Sequence, residues 1–136
     1  MDFKVVGGND GLETTLATIA TATVIEAGDL VVLASGLIVK AGSTAASLAF
    51  APYGSADGET KIEISKGNDF MLEGTGDGVF AVTYKGTEVD LSGSTNLTID
   101  VTGGTTYKVL KIDASENAGT VDSADNIRVK INKPLI

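Results

Sequence analysis

Leu30-Val31-Val32-Leu33-Ala34 and Leu37-Ile38-Val39-Lys40-Ala41 flank the two-residue step Ser35-Gly36. Short apolar runs rich in β-branched residues suit strands, and a glycine-bearing pair between two of them predicts a β-hairpin. Lys61-Ile62-Glu63-Ile64-Ser65 alternates with a period of two, which puts the isoleucines on one face and the charges on the other. Leu97-Thr98-Ile99-Asp100-Val101 and Ile127-Arg128-Val129-Lys130-Ile131 repeat that alternation.

Weaker or shorter runs lie between them. Ala46–Tyr53 is interrupted by Pro52, Phe70-Met71-Leu72 precedes the glycine-rich Gly74–Gly78, and Tyr107–Ile112 follows Gly103-Gly104. Val79–Tyr84 is apolar on both faces and predicts a central strand. Thr87-Glu88-Val89-Asp90-Leu91 predicts another alternating strand, with Glu88 and Asp90 turned to solvent. Pro134 is expected to end the series. The sum is an all-β domain of about nine short strands, a compact sandwich or barrel, over residues 24–136.

Residues 1–23 have a different texture. They are rich in Thr, Ala and Gly, and Gly7-Gly8-Asn9-Asp10-Gly11 interrupts any regular element. Leu12, Leu16 and Ile19 have helical spacing, but the threonines between and around them disfavour a helix in water. The segment predicts an extended N-terminal arm, with a first strand and a disordered tail as the alternative. As an arm it would place Val5, Val6, Leu12, Leu16 and Ile19 in shallow pockets of a partner and add as a strand to a sheet edge.

Composition narrows the function classes. The chain has 136 residues with 43% hydrophobic but only 5% aromatic residues, so its core is thin in large side chains. Ten basic against eighteen acidic residues give a net charge of −8, which argues against nucleic acid and anionic membranes as partners. There is no His and no Cys, which removes the commonest general base, the thiol nucleophile and the soft metal ligands. Ser65-Lys66 is the remaining Ser/Lys pair and is read as a solvated strand end. Gly74-Thr75-Gly76-Asp77-Gly78 lacks the following helix of a phosphate loop and is read as a tight turn.

Oxygen ligands occur in two local groups, Asn9-Asp10 with Glu13 and Asp122 with Asp125 and Asn126. Neither has the spacing of an EF-hand loop, so no metal or other cofactor is expected. A glycosidase pair of carboxylates would want aromatic platforms, and the chain has no Trp and three Tyr. No enzyme is expected.

The segment Ala27-Gly28-Asp29-Leu30-Val31-Val32-Leu33 with Ser35–Ala41, the Thr/Gly-rich leader before it and the closing Val129-Lys130-Ile131-Asn132 together resemble small capsid decoration (cement) proteins of tailed bacteriophages. The resemblance implies a structural virion protein that binds the major capsid protein, forms homotrimers at three-fold positions and contacts the lattice through an N-terminal arm. The charge favours the outer capsid surface, away from packaged DNA. The opening Met1-Asp2-Phe3-Lys4 lacks the layout of a signal peptide, so synthesis in a host cytoplasm is expected. The rival readings are a tail or baseplate component and a carbohydrate-binding or adhesion module.

Overall fold

A computed structural model describes residues 2–8, 12–55, 58–93, 96–101, 106–113, 124 and 126–136. The protein is all-β, and among the described residues its sheets do not close into a barrel. Among the described residues twelve strands run in chain order as β1 (Lys4–Gly7), β2 (Glu13–Thr18), β3 (Leu30–Ala34), β4 (Leu37–Lys40), β5 (Ala49–Phe50), β6 (Lys61–Lys66), β7 (Met71–Gly74), β8 (Glu88–Val89), β9 (Leu91–Ser92), β10 (Thr98–Ile99), β11 (Leu110–Ile112) and β12 (Ile127–Ile131). They form four sheets with strand orders β1-β7-β12-β11-β8, β10-β9, β2-β6 and β4-β3-β5.

The predicted hairpin is β3 and β4, paired from Val31–Lys40 to Ala34–Leu37. Ser35 and Gly36 both have positive φ, 51° and 81°, as the two-residue turn that matches strand twist requires. The apolar run of β3 has a specific cause. Leu30 belongs to one hydrophobic core and its neighbour Val31 to a second. In β5, Ala49 joins the second core and Phe50 the first. The three-stranded sheet is thus a wall with a core on each side, which is why β3 is not alternating.

The main core is roofed by the five-stranded sheet. Val5 pairs with Leu72, Leu72 with Val129, Val129 with Ile112, and Leu110 with both Ile131 and Val89. These side chains face inward, whereas Lys4, Glu73 and Arg128 lie in register on the outer face. Each fully buried Leu or Ile stabilises the fold by roughly 1.5–3 kcal/mol relative to exposure. The second core holds Ile19, Ile25, Ile38, Ile62 and Ile64, and Ala51.

Several expectations change. The N-terminal segment forms strands over Lys4–Gly7 and Glu13–Thr18, but these lie against the body. β1 is the edge of the five-stranded sheet, β2 pairs with β6 over its whole length, and Phe3 is buried in the main core. Val79–Tyr84 is not a central strand. Phe80 drops into the core, and Val82–Tyr84 form a 3₁₀ turn. There the Tyr84 N–H donates to the Ala81 carbonyl and the Thr87 hydroxyl to the Tyr84 carbonyl at 2.6 Å. Those local bonds take the groups a ladder would have used. The run Thr87–Leu91 splits into β8 and β9 at Asp90, and the N-terminal segment supplies two more strands, so the strands number more than nine. Pro134 does not end the pairing, since it forms a parallel bridge with Leu48, and the Leu135 N–H donates to the Leu48 carbonyl.

Candidate binding edge

Among the described residues β2 is held on one side only along most of its length. The register with β6 runs from Glu13–Lys66 to Thr18–Lys61. Two hydrogen bonds fix which main-chain groups face which way. The Ile19 N–H donates to the Thr60 carbonyl at 2.9 Å, on the β6 side, and the Ala20 N–H donates to the Ile38 carbonyl at 3.0 Å, on the β4 side. Main-chain groups alternate sides along a strand. The odd-numbered residues of β2 therefore bond to β6, and Thr14 and Leu16 turn their N–H and C=O groups toward the opposite edge. At Ile19 that edge is closed by the parallel bridge to Ile38.

The side chains follow the same logic. Glu13, Thr14, Thr15, Leu16 and Thr18 are exposed and Ala17 is half-buried. Leu16 is 62% exposed, the most exposed of the large hydrophobic residues among those described. No charged residue occurs from Thr14 to Ile25 in a chain of net charge −8. A neutral, Thr-rich edge without Pro, a bulge or an inward-pointing charge lacks the usual devices that keep another strand away.

The five residues expected to touch a partner divide. Ile19 is buried in the second core, Val5 and Leu12 pack against the main core, and Val6 is half-buried in the edge strand β1. Leu16 alone of the five projects most of its side chain into solvent. The Asn9-Asp10 part of one oxygen group and Asp122 and Asp125 of the other lie outside the described residues; Glu13 is exposed on β2.

The residues weighed for catalysis have structural roles. Ser65 is buried, not solvated at a strand end, and its hydroxyl accepts the Phe50 N–H at 2.6 Å, joining β6 to β5. Lys66 points away from it and is exposed. Asp90 is buried rather than turned to solvent. Its carboxylate accepts the N–H groups of Thr106, Tyr107 and Lys108 at 3.1, 2.8 and 2.7 Å. The glycine-rich stretch bridges to β10, through a Gly76–Ile99 pairing and an Asp77 N–H that donates to the Ile99 carbonyl. Desolvation pushes the Asp77 carboxyl above the usual aspartate range, the Val101 N–H pulls it back, and neighbouring Asp100 pushes it up again.

Two charged groups remain. Lys40 lies 2.9 Å from Asp2 and 3.5 Å from Asp29, which is buried. Burial works against its ammonium, but the hydrogen bonds and charges of the two carboxylates outweigh it and raise its pKa above 10.5. Glu73 sits between Lys4 and Arg128 at 3.4 and 3.6 Å. A cavity of about 310 Å³ beside that row is lined by Asp2, Phe3, Lys4, Glu73, Gly74, Thr75 and Asn126. Among the described residues no three of His, Cys, Asp and Glu come together as a metal site would need.

Sequence reasoning missed Asp90 and Ser65 as buried acceptors because their partners are 15 to 18 residues away. It missed the two-sided burial of β3 for the same kind of reason. Comparison with known proteins finds no matching family model, no matching curated protein and no matching solved structure.

Proposed function

We propose that this chain is a non-catalytic structural protein of a tailed-phage virion, a decoration protein that binds the major capsid protein on the outer face of the shell and stabilises it. The observation that carries the reading is the edge of β2 that is open among the described residues, where the main-chain groups of Thr14 and Leu16 face away from β6 and the Leu16 side chain is exposed. A strand from the capsid lattice adds there by main-chain hydrogen bonding. The net charge of −8 supports the outer face, since packaged DNA repels it. The resemblance supports a homotrimer on the particle. No cofactor, nucleic acid or membrane enters this reading, and synthesis is in the host cytoplasm.

The test is co-sedimentation of the purified protein with undecorated capsids and, separately, with isolated tails. Saturable binding to capsids together with a higher capsid melting temperature is the expected result. Binding to tails alone, or to neither particle, would overturn the proposal.

A further inference from the structure

We propose that in the free protein the open edge of β2 is covered by β2 of a second copy, in an antiparallel two-fold pairing centred on Thr15. This builds on the reading of β2 as the docking edge and names what occupies it before a capsid does.

The register follows from the alternation already described. In an antiparallel pair, hydrogen-bonded positions must match residues whose main-chain groups face the shared edge. On β2 these are Thr14 and Leu16, and they meet only each other, twice, in the register with the axis on Thr15; an axis on Thr14 would need Leu12, which packs against the main core, opposite Leu16. The Thr15 axis places Thr15 opposite Thr15 and Glu13 opposite Ala17. The alternative with Leu16 on the axis would set Glu13 opposite Ile19, where the bridge to Ile38 already closes the edge. The Thr15-centred register stops at Ala17 and avoids that bridge.

Charge selects the edge. Two copies of a −8 chain repel over most of their surfaces, but no like charges face each other in this pairing, because Glu13 meets Ala17. Each exposed Leu16 side chain is covered by the methyl of a Thr14 across the pair. The only long-range electrostatic effect left is net repulsion, which salt screens. Self-association should therefore tighten as salt rises, the reverse of an interface built from ion pairs.

The chain contains no cysteine, so a single introduced thiol reports the register without background. A position opposite itself in a non-hydrogen-bonded antiparallel pair has Cα atoms about 4.5 Å apart, within disulfide range. Thr15→Cys and Leu16→Cys are exposed to mild oxidation and the disulfide dimers are timed on non-reducing gels. In parallel, sedimentation equilibrium of the unaltered protein is followed from low to high sodium chloride. Expected are cross-linking at least tenfold faster for Thr15→Cys and a dimer constant that tightens with salt. A monomer at all salt concentrations, a dimer that weakens with salt, or faster cross-linking through Leu16→Cys would overturn the proposal. Failure here leaves the capsid reading intact. Conversely, a covalent Thr15→Cys dimer that still binds capsids as the unaltered protein does would show that capsids use another surface, while the pairing stands.

Discussion

The ring of Phe3 lies over Gly74, so closely that a methyl group built on Gly74 would come within 2.6 Å of the ring carbon Cδ1. The contact joins the N-terminal segment to the far end of β7, and the Phe3 N–H donates to the Gly28 carbonyl at 3.0 Å nearby. Phe3 is 3% exposed and belongs to the main core. Phe3→Ala is expected to cost about 3–5 kcal/mol of unfolding free energy, as other buried aromatic truncations do. Gly74→Ala should cost about 1–3 kcal/mol through overpacking alone. Urea denaturation measures both. Losses below about 0.5 kcal/mol would mean that the segment is not part of the folded body.

Asp90 gathers three N–H groups from residues 106–108 while buried, and Lys108 is held there with a positive φ of 55°. Hydrogen bonds to an ionised acceptor are the stronger kind, and buried donors left without one cost their desolvation. Asp90→Ala is expected to destabilise by about 3 kcal/mol, and Asp90→Asn, which keeps one acceptor oxygen, by roughly half as much. Hydrogen exchange at the amides of Tyr107 and Lys108 should accelerate in both variants. Unchanged exchange at those amides would remove Asp90 from the role given to it.

How legible this was depends on the range of the interaction. Strands whose reasons are local were readable: the Ser35-Gly36 turn, the Ile62/Ile64 alternation of β6 and the Ile127/Val129/Ile131 alternation of β12 all appear where their periods put them. Asp90 and Glu88 have the same parity, so alternation alone put both in solvent. Only the arrival of residues 106–108 distinguishes them. Likewise β2 reads as an unattached arm because its own side chains are poor in large apolar groups. What attaches it is backbone pairing to β6 and the single buried Ile19. Main-chain pairing leaves little trace in side-chain composition, so the open edge of β2 became visible only with the register.

Lys40 compensates two carboxylates at once, with its own side chain 26% exposed. Asp29 also accepts the Glu26 N–H at 2.9 Å, but a buried carboxylate that loses its cation keeps its desolvation penalty. Lys40→Met is expected to destabilise by about 1–3 kcal/mol near pH 7, below the range for fully buried pairs because the ammonium is partly solvated. The pH dependence has a definite sign. The folded pKa of Lys40 is raised above 10.5, so its contribution is fully present below 10.5 and is lost as pH climbs through the raised value. Chemical denaturation from pH 7 to pH 12 should show an alkaline decline in the unaltered protein that is shallower in Lys40→Met. Parallel profiles would mean that Lys40 is not the group responsible.

Within β2, folding and binding depend on adjacent residues. The N–H of Thr15 points to β6, and that of Leu16 points to the open edge. Proline lacks the N–H and is tolerated in strands only where that group faces outward. Thr15→Pro should break the β2–β6 ladder and destabilise the protein by about 3 kcal/mol. Leu16→Pro should leave the ladder in place, with a cost in stability of about 1 kcal/mol or less. On the open edge, however, it removes one donor and most of the exposed apolar side chain. A hydrogen bond contributes about 0.5–1.5 kcal/mol and burial of a leucine about 1.5–3 kcal/mol, so affinity for any added strand should fall at least tenfold. Thermal melts and capsid co-sedimentation of the two variants make the comparison. The expected pair is a weakened fold for Thr15→Pro, and a near-native melt with lost binding for Leu16→Pro. Full binding by a well-folded Leu16→Pro protein would show that β2 is not the edge to which partners add.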